Sequence, residues 1–239
     1  MNEKILIIAA MESEINHLIS KYKNIKEEEI KGYKCYKTKI KNNEIYFLLT
    51  QVGEINSSIS TTKTILKIKP NKIINIGTAG SHKKNLKIGD FIIGEEIINM
   101  NSIITPFKKL NEGSNSLFWN ITNFISDSEN KLIKLKGDEN LIKLIEKIGI
   151  KYNINLIKGI ILSGDIWNKE IDRINFFNEK YNSLCEEMES YGIYYISLQE
   201  NIPVISLKVI SNNELNNEKF DINSSIKLQD FVYNILNEI

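Results

Sequence analysis

Acidic and polar residues follow the apolar runs of this sequence at the points where those runs end. The run Ile5–Ala10 is followed at once by Met11, Glu12, Ser13 and Glu14. A carboxylate placed after a buried strand can direct a water molecule as a general base. Acids in the first turn of a helix also favour its dipole, which explains the same residues without any chemistry. Because Glu12 and Glu14 lie two positions apart, they point to different sides of a helix, and at most one of them faces a cleft.

A segment of small residues closes a second apolar run. Asn75–Gly80 reads Asn-Ile-Gly-Thr-Ala-Gly and ends the run Lys72–Ile76. Small residues at a strand end let backbone amides approach a ligand closely. The segment lacks the lysine and the spacing of a GxxxxGK[ST] loop, so phosphate binding of that type is excluded. A tight turn after the strand explains the same composition without a ligand.

Three later segments place aromatic or polar residues at predicted strand and helix ends. Trp167 follows Ser163–Asp165 and either stacks on a base ring or covers the core. The acids of Glu186–Glu189 can accept hydrogen bonds from vicinal hydroxyls of a ribose, or they can simply favour the start of a helix. Lys208–Asn212 ends the last apolar run with polar residues.

The elements that must position these residues alternate between strand-like and helix-like patterns. Continuous apolar runs alternating with helical spacing predict a mostly parallel sheet covered on both faces. In such sheets, ligands bind beyond the carboxyl ends of the strands. The predicted strands are Ile5–Ala10, Tyr33–Ile40, Glu44–Val52 (a hairpin turning at Asn42-Asn43), Lys72–Ile76, Phe91–Ile98, Leu156–Leu162 and Val204–Ile210. The predicted helices are Met11–Tyr22, Ser57–Ile68, Asp138–Gly149, Glu170–Tyr181, Glu187–Glu200 and Ser225–Ile239.

Composition excludes several classes of protein. The 239 residues carry 31 basic and 30 acidic side chains, so no net charge attracts nucleic acid or an anionic membrane. No stretch reaches the roughly 18 apolar residues that span a bilayer, and Ile5–Ala10 is too short for a signal sequence. Cys35 and Cys185 are far apart, and two cysteines with two histidines in no ligand spacing predict neither a disulfide framework nor a metal site. We therefore expect a cytoplasmic, metal-free protein.

Taken together and in this order, the segments are specific although each is weak alone. The chain resembles the 5′-methylthioadenosine/S-adenosylhomocysteine nucleosidases, within the nucleoside phosphorylase superfamily, from about residue 4 to residue 239. This resemblance implies a three-layer α/β/α sandwich with a mixed central sheet, a single domain over residues 1–239, a homodimer, a purine nucleoside substrate, a role in methionine salvage and no cofactor. The matching segments are Ala10–Glu14, Asn75–Gly80, Leu86–Asp90, Ser163–Asp165 with a following aromatic, Glu187–Glu189 and Ile210–Asn212.

The resemblance also implies roles for individual residues around the sugar. Glu14 corresponds to the acid that orients or deprotonates the attacking water, and Met11 to a residue beneath the sugar. Glu189 corresponds to the acceptor of the sugar hydroxyls. The remaining positions near the sugar and its 5′ substituent are Val52, Thr78, Ala79, Gly80, Glu187 and Met188, with Phe107 supplied across a dimer interface and Phe220 on a flap.

The base-binding positions include two departures from the family pattern. Trp167 corresponds to the stacking aromatic, and Asn168 to the residue whose backbone binds the adenine edge. The family usually ends its last strand in Ser-Asp, and that aspartate protonates N7 of the leaving purine, whereas this chain has Ser211-Asn212. A carboxamide can donate a hydrogen bond to N7 but cannot titrate as an acid. Lys208 stands where the family usually has arginine.

Asn212 leaves three interpretations open. The chain hydrolyses methylthioadenosine or adenosylhomocysteine at a reduced rate, or it acts on another base such as a 6-oxopurine, or it binds adenine nucleosides without turnover. A phosphorylase of the same superfamily needs an anion site, which the single arginine of the chain, Arg173, makes improbable. A purely structural module leaves the polar groups at four strand ends unexplained.

Overall fold

The computed structural model describes residues 2–122 and 134–239. Apolar runs form the inner strands, and segments with helical spacing form the helices. The strands are β1 (Lys4–Ala9), β2 (Lys26–Ile30), β3 (Tyr33–Ile40), β4 (Asn43–Leu49), β5 (Lys72–Ser81), β6 (Phe91–Asn99), β7 (Ile103–Ile104), β8 (Asn120–Ile121), β9 (Leu135–Lys136), β10 (Leu156–Ser163), β11 (Ser183–Glu187) and β12 (Val204–Asn212). The helices are α1 (Asn16–Ser20), α2 (Glu54–Ile68), α3 (Glu139–Lys151), α4 (Ile171–Tyr181), α5 (Ser190–Gln199) and α6 (Ser224–Glu238).

The central sheet is mixed and partly closed on itself. Its strand order is β11-β10-β6-β12-β5-β1-β4-β3-β2, with β9 added to β6. Strand β1 lies parallel to both β4 and β5, whereas β12 is parallel to β5 and antiparallel to β6. A further antiparallel pairing joins β11 to the end of β5, so that β11, β10, β6, β12 and β5 form a closed ring of strands. The carboxyl end of β5 therefore contacts a strand on each side.

Helices cover both faces of the sheet. Alternate residues of β1 point into opposite cores: Ile5 and Ile7 pack with the side of α1, α3 and α6, and Leu6 and Ile8 with the side of α2 and α5. Fully burying each such side chain contributes about 1.5–3 kcal/mol. The three-layer α/β/α sandwich with a mixed central sheet is confirmed. Among the described helices, none is long and apolar enough to cross a membrane.

The segment after β1 differs from its predicted helix. Instead of one helix over Met11–Tyr22, a short 3-10 turn at Glu12–Glu14 precedes the five-residue α1. The cause is the Glu14 carboxylate, which accepts hydrogen bonds from the backbone N–H groups of Ala10 and Met11 and tightens the turn. The break points the Glu14 side chain towards β5 instead of along a regular helical face.

Several strands also differ from prediction: β5 is longer than predicted, and β2, β7, β8, β9 and β11 were not predicted. Strand β5 continues through the small residues to Ser81, because β11 and β12 both pair with that stretch. Strand β11 occupies Ser183–Glu187, where the helix was predicted to begin at Glu187 and no strand was predicted. Strand β2 was not predicted, because its sequence KEEEI lacks an alternating pattern. The predicted hairpin is confirmed, but its two-residue turn is Lys41-Asn42 and not Asn42-Asn43, because Asn43 pairs with Ile40.

Candidate active site

A cavity of about 200 Å³ opens at the carboxyl ends of β1, β5 and β12 and beside β11. This is the edge at which open α/β sheets place their ligands. Its walls combine backbone and small residues from β5 with carboxylates from two separate segments and an aromatic rim. The lining residues are Ala10, Met11, Glu14, Val52, Thr78, Ala79, Gly80, Ile166, Trp167, Glu186, Glu187, Met188, Glu189, Ser211, Asn212 and Phe220.

Glu14 is held by four hydrogen-bond donors. Its Oε1 accepts from the Thr78 backbone N–H at 2.8 Å and from Thr78 Oγ1 at 2.9 Å. Its Oε2 accepts from the backbone N–H groups of Ala10 and Met11, each at 3.2 Å. The residue is 4% exposed and lines the cavity. The carboxylate is thus fixed in position, with its small remaining exposed surface towards the cavity.

Lys208 balances the charge of the acidic residues around it. Its ammonium group lies 2.9 Å from Glu187 Oε2, and the lysine is 1% exposed. Burial alone lowers the pKa of Lys208, but the carboxylates of Glu187, Glu189 and Glu14 together raise it above its usual value. Burial likewise acts to raise the pKa of Glu187, yet the adjacent Lys208 ammonium holds it below the usual range. This ion pair therefore remains charged beneath the cavity.

Two neighbouring carboxyl groups have pKa values raised above the usual range of a glutamate. Burial, followed by the negative charge of Glu187, raises the pKa of Glu189 to about 8. The same two causes raise the pKa of Glu54, at the start of α2, to about 8. Glu189 Oε1 accepts a hydrogen bond from the backbone N–H of Gly53 at 3.0 Å. A protonated carboxyl group both donates and accepts hydrogen bonds, which suits it to a pair of hydroxyl groups.

Gly53 permits this contact through its backbone conformation. Its φ of +105° lies in the region that favours glycine. A Cβ at this position would lie 3.0 Å from Asp165 Oδ1, which accepts a hydrogen bond from the Glu54 N–H at 2.8 Å. The loop after β10 is thereby tied to the start of α2.

A second set of polar residues lies beside β11. The Glu186 carboxylate accepts a hydrogen bond from His82 Nε2 at 3.0 Å and one from the Asn168 backbone N–H at 3.1 Å. His82 is fully buried, and its Nδ1 lies 2.7 Å from Ser183 Oγ. Asn212 is on the opposite side of β5 from Glu186 and also lines the cavity.

Aromatic and aliphatic side chains form the outer rim. The rings of Trp167 and Phe220 meet edge to face, with centroids 5.5 Å apart. Trp167 is 58% exposed, so one of its faces is available for stacking. Val52 and Ile166 are also partly exposed at this rim.

Most of the residues expected from the sequence converge on this cavity. Lys208 lies behind the lining, in its ion pair. Phe107 is 88% exposed and does not line the cavity of this chain. Asn168, whose backbone was expected to bind the base edge, does not line the cavity, and its backbone N–H donates to Glu186. The convergent residues are Met11, Glu14, Val52, Thr78, Ala79, Gly80, Trp167, Glu187, Met188, Glu189, Ser211, Asn212 and Phe220.

Three lining residues were not among those expected: Ala10, Ile166 and Glu186. Ala10 and Ile166 each adjoin an expected residue, so proximity in sequence is a usable signal. The orientation of the Glu186 side chain could not be predicted without strand β11, because successive side chains of a strand point to opposite faces of the sheet.

The fold and the strand-end cavity define an α/β protein with a pocket of the kind that binds small molecules. The chain belongs to the phosphorylase superfamily, which it matches over residues 4–237. A relative named 5′-methylthioadenosine/S-adenosylhomocysteine nucleosidase from Bacillus thuringiensis is 26% identical over 243 residues, covering 99% of each chain. The resemblance inferred from the motifs is thus confirmed.

Two solved structures from Helicobacter pylori share the fold. An aspartate-to-asparagine mutant of its MTAN, with 5′-methylthioadenosine in the active site, is 25% identical, covers 100% of both chains and has a TM-score of 0.84. A futalosine hydrolase mutant is also 25% identical, covers 99% of this chain and 100% of its own, and has a TM-score of 0.82. Structural neighbours therefore differ in the substrate for which they are named.

Proposed function

We propose that this protein hydrolyses the N-glycosidic bond of 5′-methylthioadenosine and/or S-adenosylhomocysteine and releases the purine base. The observation that carries the proposal is the Glu14 carboxylate, fixed by four donors and facing the same cavity as Glu189. The names of the relatives support the same reaction. Methionine salvage is the corresponding metabolic role.

The proposed mechanism assigns a separate task to each wall of the cavity. Glu189 binds the ribose hydroxyls, and Trp167 stacks on the base. The C1′–N9 bond breaks with its electron pair going to the purine, and the sugar becomes oxocarbenium-like. Glu14 orients a water molecule and takes its proton as the new C1′–O bond forms. Asn212 donates a hydrogen bond to N7, and the purine takes its proton from solvent.

The electrostatics favour water over phosphate as the nucleophile. Among the cavity-lining residues in the described part of the chain, none is lysine or arginine. The ammonium of Lys208 is already paired with Glu187, and the guanidinium of Arg173 lies over the rings of Trp119 and Phe177. A phosphate dianion in the cavity would face several carboxyl groups without a cationic partner. Hydrolysis requires no such anion site.

Asn212 favours a second candidate, which is the same hydrolysis with a 6-oxopurine as the base. Its amide lines the cavity and can donate to a purine without delivering a proton. The anion of a 6-oxopurine leaves more readily than adenine, so it depends less on an acid.

We also propose a homodimer. Helices α2 and α5 pack against each other and expose apolar residues of the kind found at subunit contacts. They are Ile55, Ile59 and Leu66 of α2, and Tyr195 and Leu198 of α5. Phe107 reaches a partner's cavity in this arrangement. A light-scattering mass equal to that of one chain would contradict the homodimer.

The two free, buried cysteines are compatible with a reducing cytoplasm.

A product assay tests the proposed reaction. Methylthioadenosine, adenosylhomocysteine, adenosine and inosine are each incubated with the protein, with and without phosphate, and the products are separated by chromatography. We expect free base and a ribose with a hydroxyl at C1′ under both conditions. Ribose 1-phosphate would indicate a phosphorylase, and tight binding without release of base over hours would indicate a binding protein.

A further inference from the structure

Two polar side chains of α6 bond to the turn that carries Glu14. Gln229 Nε2 and Ser225 Oγ both donate to the Ser13 carbonyl oxygen, each at 2.9 Å. Gln229 Oε1 accepts a hydrogen bond from the backbone N–H of Leu18 in α1, at 3.0 Å. One glutamine therefore bridges the 3-10 turn and α1, and it holds the main chain immediately before Glu14.

The burial of Gln229 indicates that these bonds explain a polar residue at this position. Gln229 is fully buried, and Ser225, one helical turn before it, is 1% exposed. On the same side of α6, Leu228 and Val232 pack in the core that contains Ile15. A buried amide destabilises the fold unless its polar atoms are bonded, and both the oxygen and the nitrogen of Gln229 are bonded here. An apolar side chain would fill this space without holding the turn.

The turn requires an outside partner because it interrupts a helix. The residue at the N-cap of α1 is Ile15, whose apolar side chain cannot accept a hydrogen bond from the first helical turn. Leu18 is the third residue of α1, and the N–H groups of the first turn have no acceptor within their own helix. Gln229 supplies that acceptor from another helix. Helix α6 thus does the work of a capping residue.

Glu14 is consequently held by two separate elements. Its carboxylate accepts two hydrogen bonds from Thr78 of β5, and the carbonyl of the preceding residue is bonded to α6. The other two donors to the carboxylate, the N–H groups of Ala10 and Met11, belong to the same segment as Glu14 and do not anchor it to another element. The position of the carboxylate in the cavity therefore depends on both Thr78 and Gln229.

We propose that Gln229, supported by Ser225, is a positioning residue for the general base of the hydrolysis. It fixes the backbone from which the Glu14 side chain extends, and so fixes the carboxylate relative to the water that attacks C1′. Gln229 itself is not among the residues that line the cavity. A misplacement of about 1 Å can slow a reaction by about 10²-fold. This inference rests on the proposed hydrolase function and identifies a residue outside the cavity that serves it.

Separate measurement of kcat and KM tests this role. Gln229→Met keeps an unbranched side chain of similar size and removes both bonds. With 5′-methylthioadenosine we expect kcat to fall by about tenfold to a hundredfold and KM to stay within about twofold, because a displaced carboxylate affects the water and not the bound nucleoside. Ser225→Ala removes one of the two donors to the Ser13 carbonyl and should lower kcat by a smaller factor. If Gln229→Met does not fold, Ser225→Ala decides, and an unchanged kcat then overturns the proposal.

Asp230→Asn is the matched control on the same helix. The Asp230 carboxylate lies 2.8 Å from His17 Nε2 and 2.7 Å from Lys21 Nζ, both on the side of α1 away from the turn in sequence. It thus joins the same two helices as Gln229, and we expect Asp230→Asn to leave kcat and KM unchanged. If Asp230→Asn lowers kcat as much as Gln229→Met, the docking of α1 on α6 explains the effect, and the specific role of Gln229 is overturned.

Hydrogen exchange separates this inference from the proposed reaction. Mass spectrometry of the peptide that covers residues 10–18 requires no turnover, and we expect faster exchange in Gln229→Met than in the wild type or Asp230→Asn. If the wild type releases no base but exchange is faster in Gln229→Met, the hydrolase function fails and the anchoring of Glu14 stands. Exchange that Gln229→Met leaves unchanged overturns the anchoring. An unchanged kcat in a folded Gln229→Met protein overturns the role in catalysis.

Discussion

The two ends of the cavity differ in how closely they follow the family pattern. The end formed by Glu14, Thr78 and Glu189 retains the residue types that the nucleosidase resemblance implies for sugar and water. The end formed by Glu186 and Asn212 has an amide where an acid is usual and a carboxylate backed by a buried histidine. Glu14 follows β1 and Thr78 lies on β5, whereas Glu189 follows β11, the strand that carries Glu186, and Asn212 ends β12. The two ends therefore share β11, and a change in that strand can affect both.

The largest expected effect comes from replacing Glu14 at the sugar end of the cavity. Glu14→Gln should slow base release by about 10³-fold or more, because an amide cannot accept the proton of the attacking water. The initial rate is measured by chromatography with saturating nucleoside. Glu12→Gln is the matched control, because Glu12 is exposed and, within the described residues, pairs with Lys34 at 3.1 Å. A Glu14→Gln protein that keeps its full rate would remove Glu14 from the mechanism.

A second prediction concerns the buried ion pair of Lys208 and Glu187 beneath the sugar end of the cavity. Lys208→Met leaves the buried Glu187 carboxylate without its cation and should lower the free energy of unfolding by about 3–5 kcal/mol. Urea denaturation measures this loss. Adding Glu187→Gln to Lys208→Met should recover part of it. Lys151→Met breaks an exposed pair with Glu238 and should change stability negligibly. If Lys208→Met and Lys151→Met lower the free energy of unfolding equally, the buried ion pair does not have the predicted importance for stability.

A third prediction sharpens the contrast at the base end. Asn212→Asp restores a titratable acid and should raise the rate with adenine nucleosides by about tenfold to a hundredfold, because general acid catalysis assists departure of the base. Adding Glu186→Gln should increase this gain. If Asn212→Asp does not raise the rate with adenine nucleosides, the lack of an acid at this position is not what limits their hydrolysis.

A fourth prediction is a pH dependence of stability. The pKa of Glu189 is raised to about 8, well above that of an unfolded glutamate, so the folded state retains a proton that the unfolded state loses as pH rises. Stability should therefore decline from about pH 4.5 to pH 8 and then level off. Glu54, with a pKa of about 8, acts in the same direction. Glu189→Gln and Glu54→Gln should each flatten the melting temperature between pH 5 and pH 8. Unchanged slopes in both would contradict the raised pKa values.

The sequence predicted the fold well where strands are long and continuously apolar. Strands β1, β5, β10 and β12 start close to their predicted positions, and so the residues at their carboxyl ends could be assigned to one edge. It predicted less where a short strand contains polar residues. Without β11, the side chain of Glu186 had no defined face, because a shift of one residue reverses the orientation of a strand residue.

Two further features depend on contacts that local sequence does not contain. The broken helix after β1 arises because the Glu14 side chain bonds to backbone on both sides, including Thr78, 64 residues away. The expected position of Phe107 depends on a second subunit, and its exposure in one chain leaves its role as a prediction.

The pairing of β11 with the end of β5 constrains how ligands enter. Cys185 and Glu186 are bonded across to Ser81 and Gly80, so the floor of the cavity cannot widen without the loss of backbone hydrogen bonds. Passage must then depend on the outer rim, where Trp167 and Phe220 touch each other edge to face. The size of a ligand group at the floor is limited by a rigid ring of strands, whereas a bulky group at the mouth requires only the side chains of Trp167 and Phe220 to move apart.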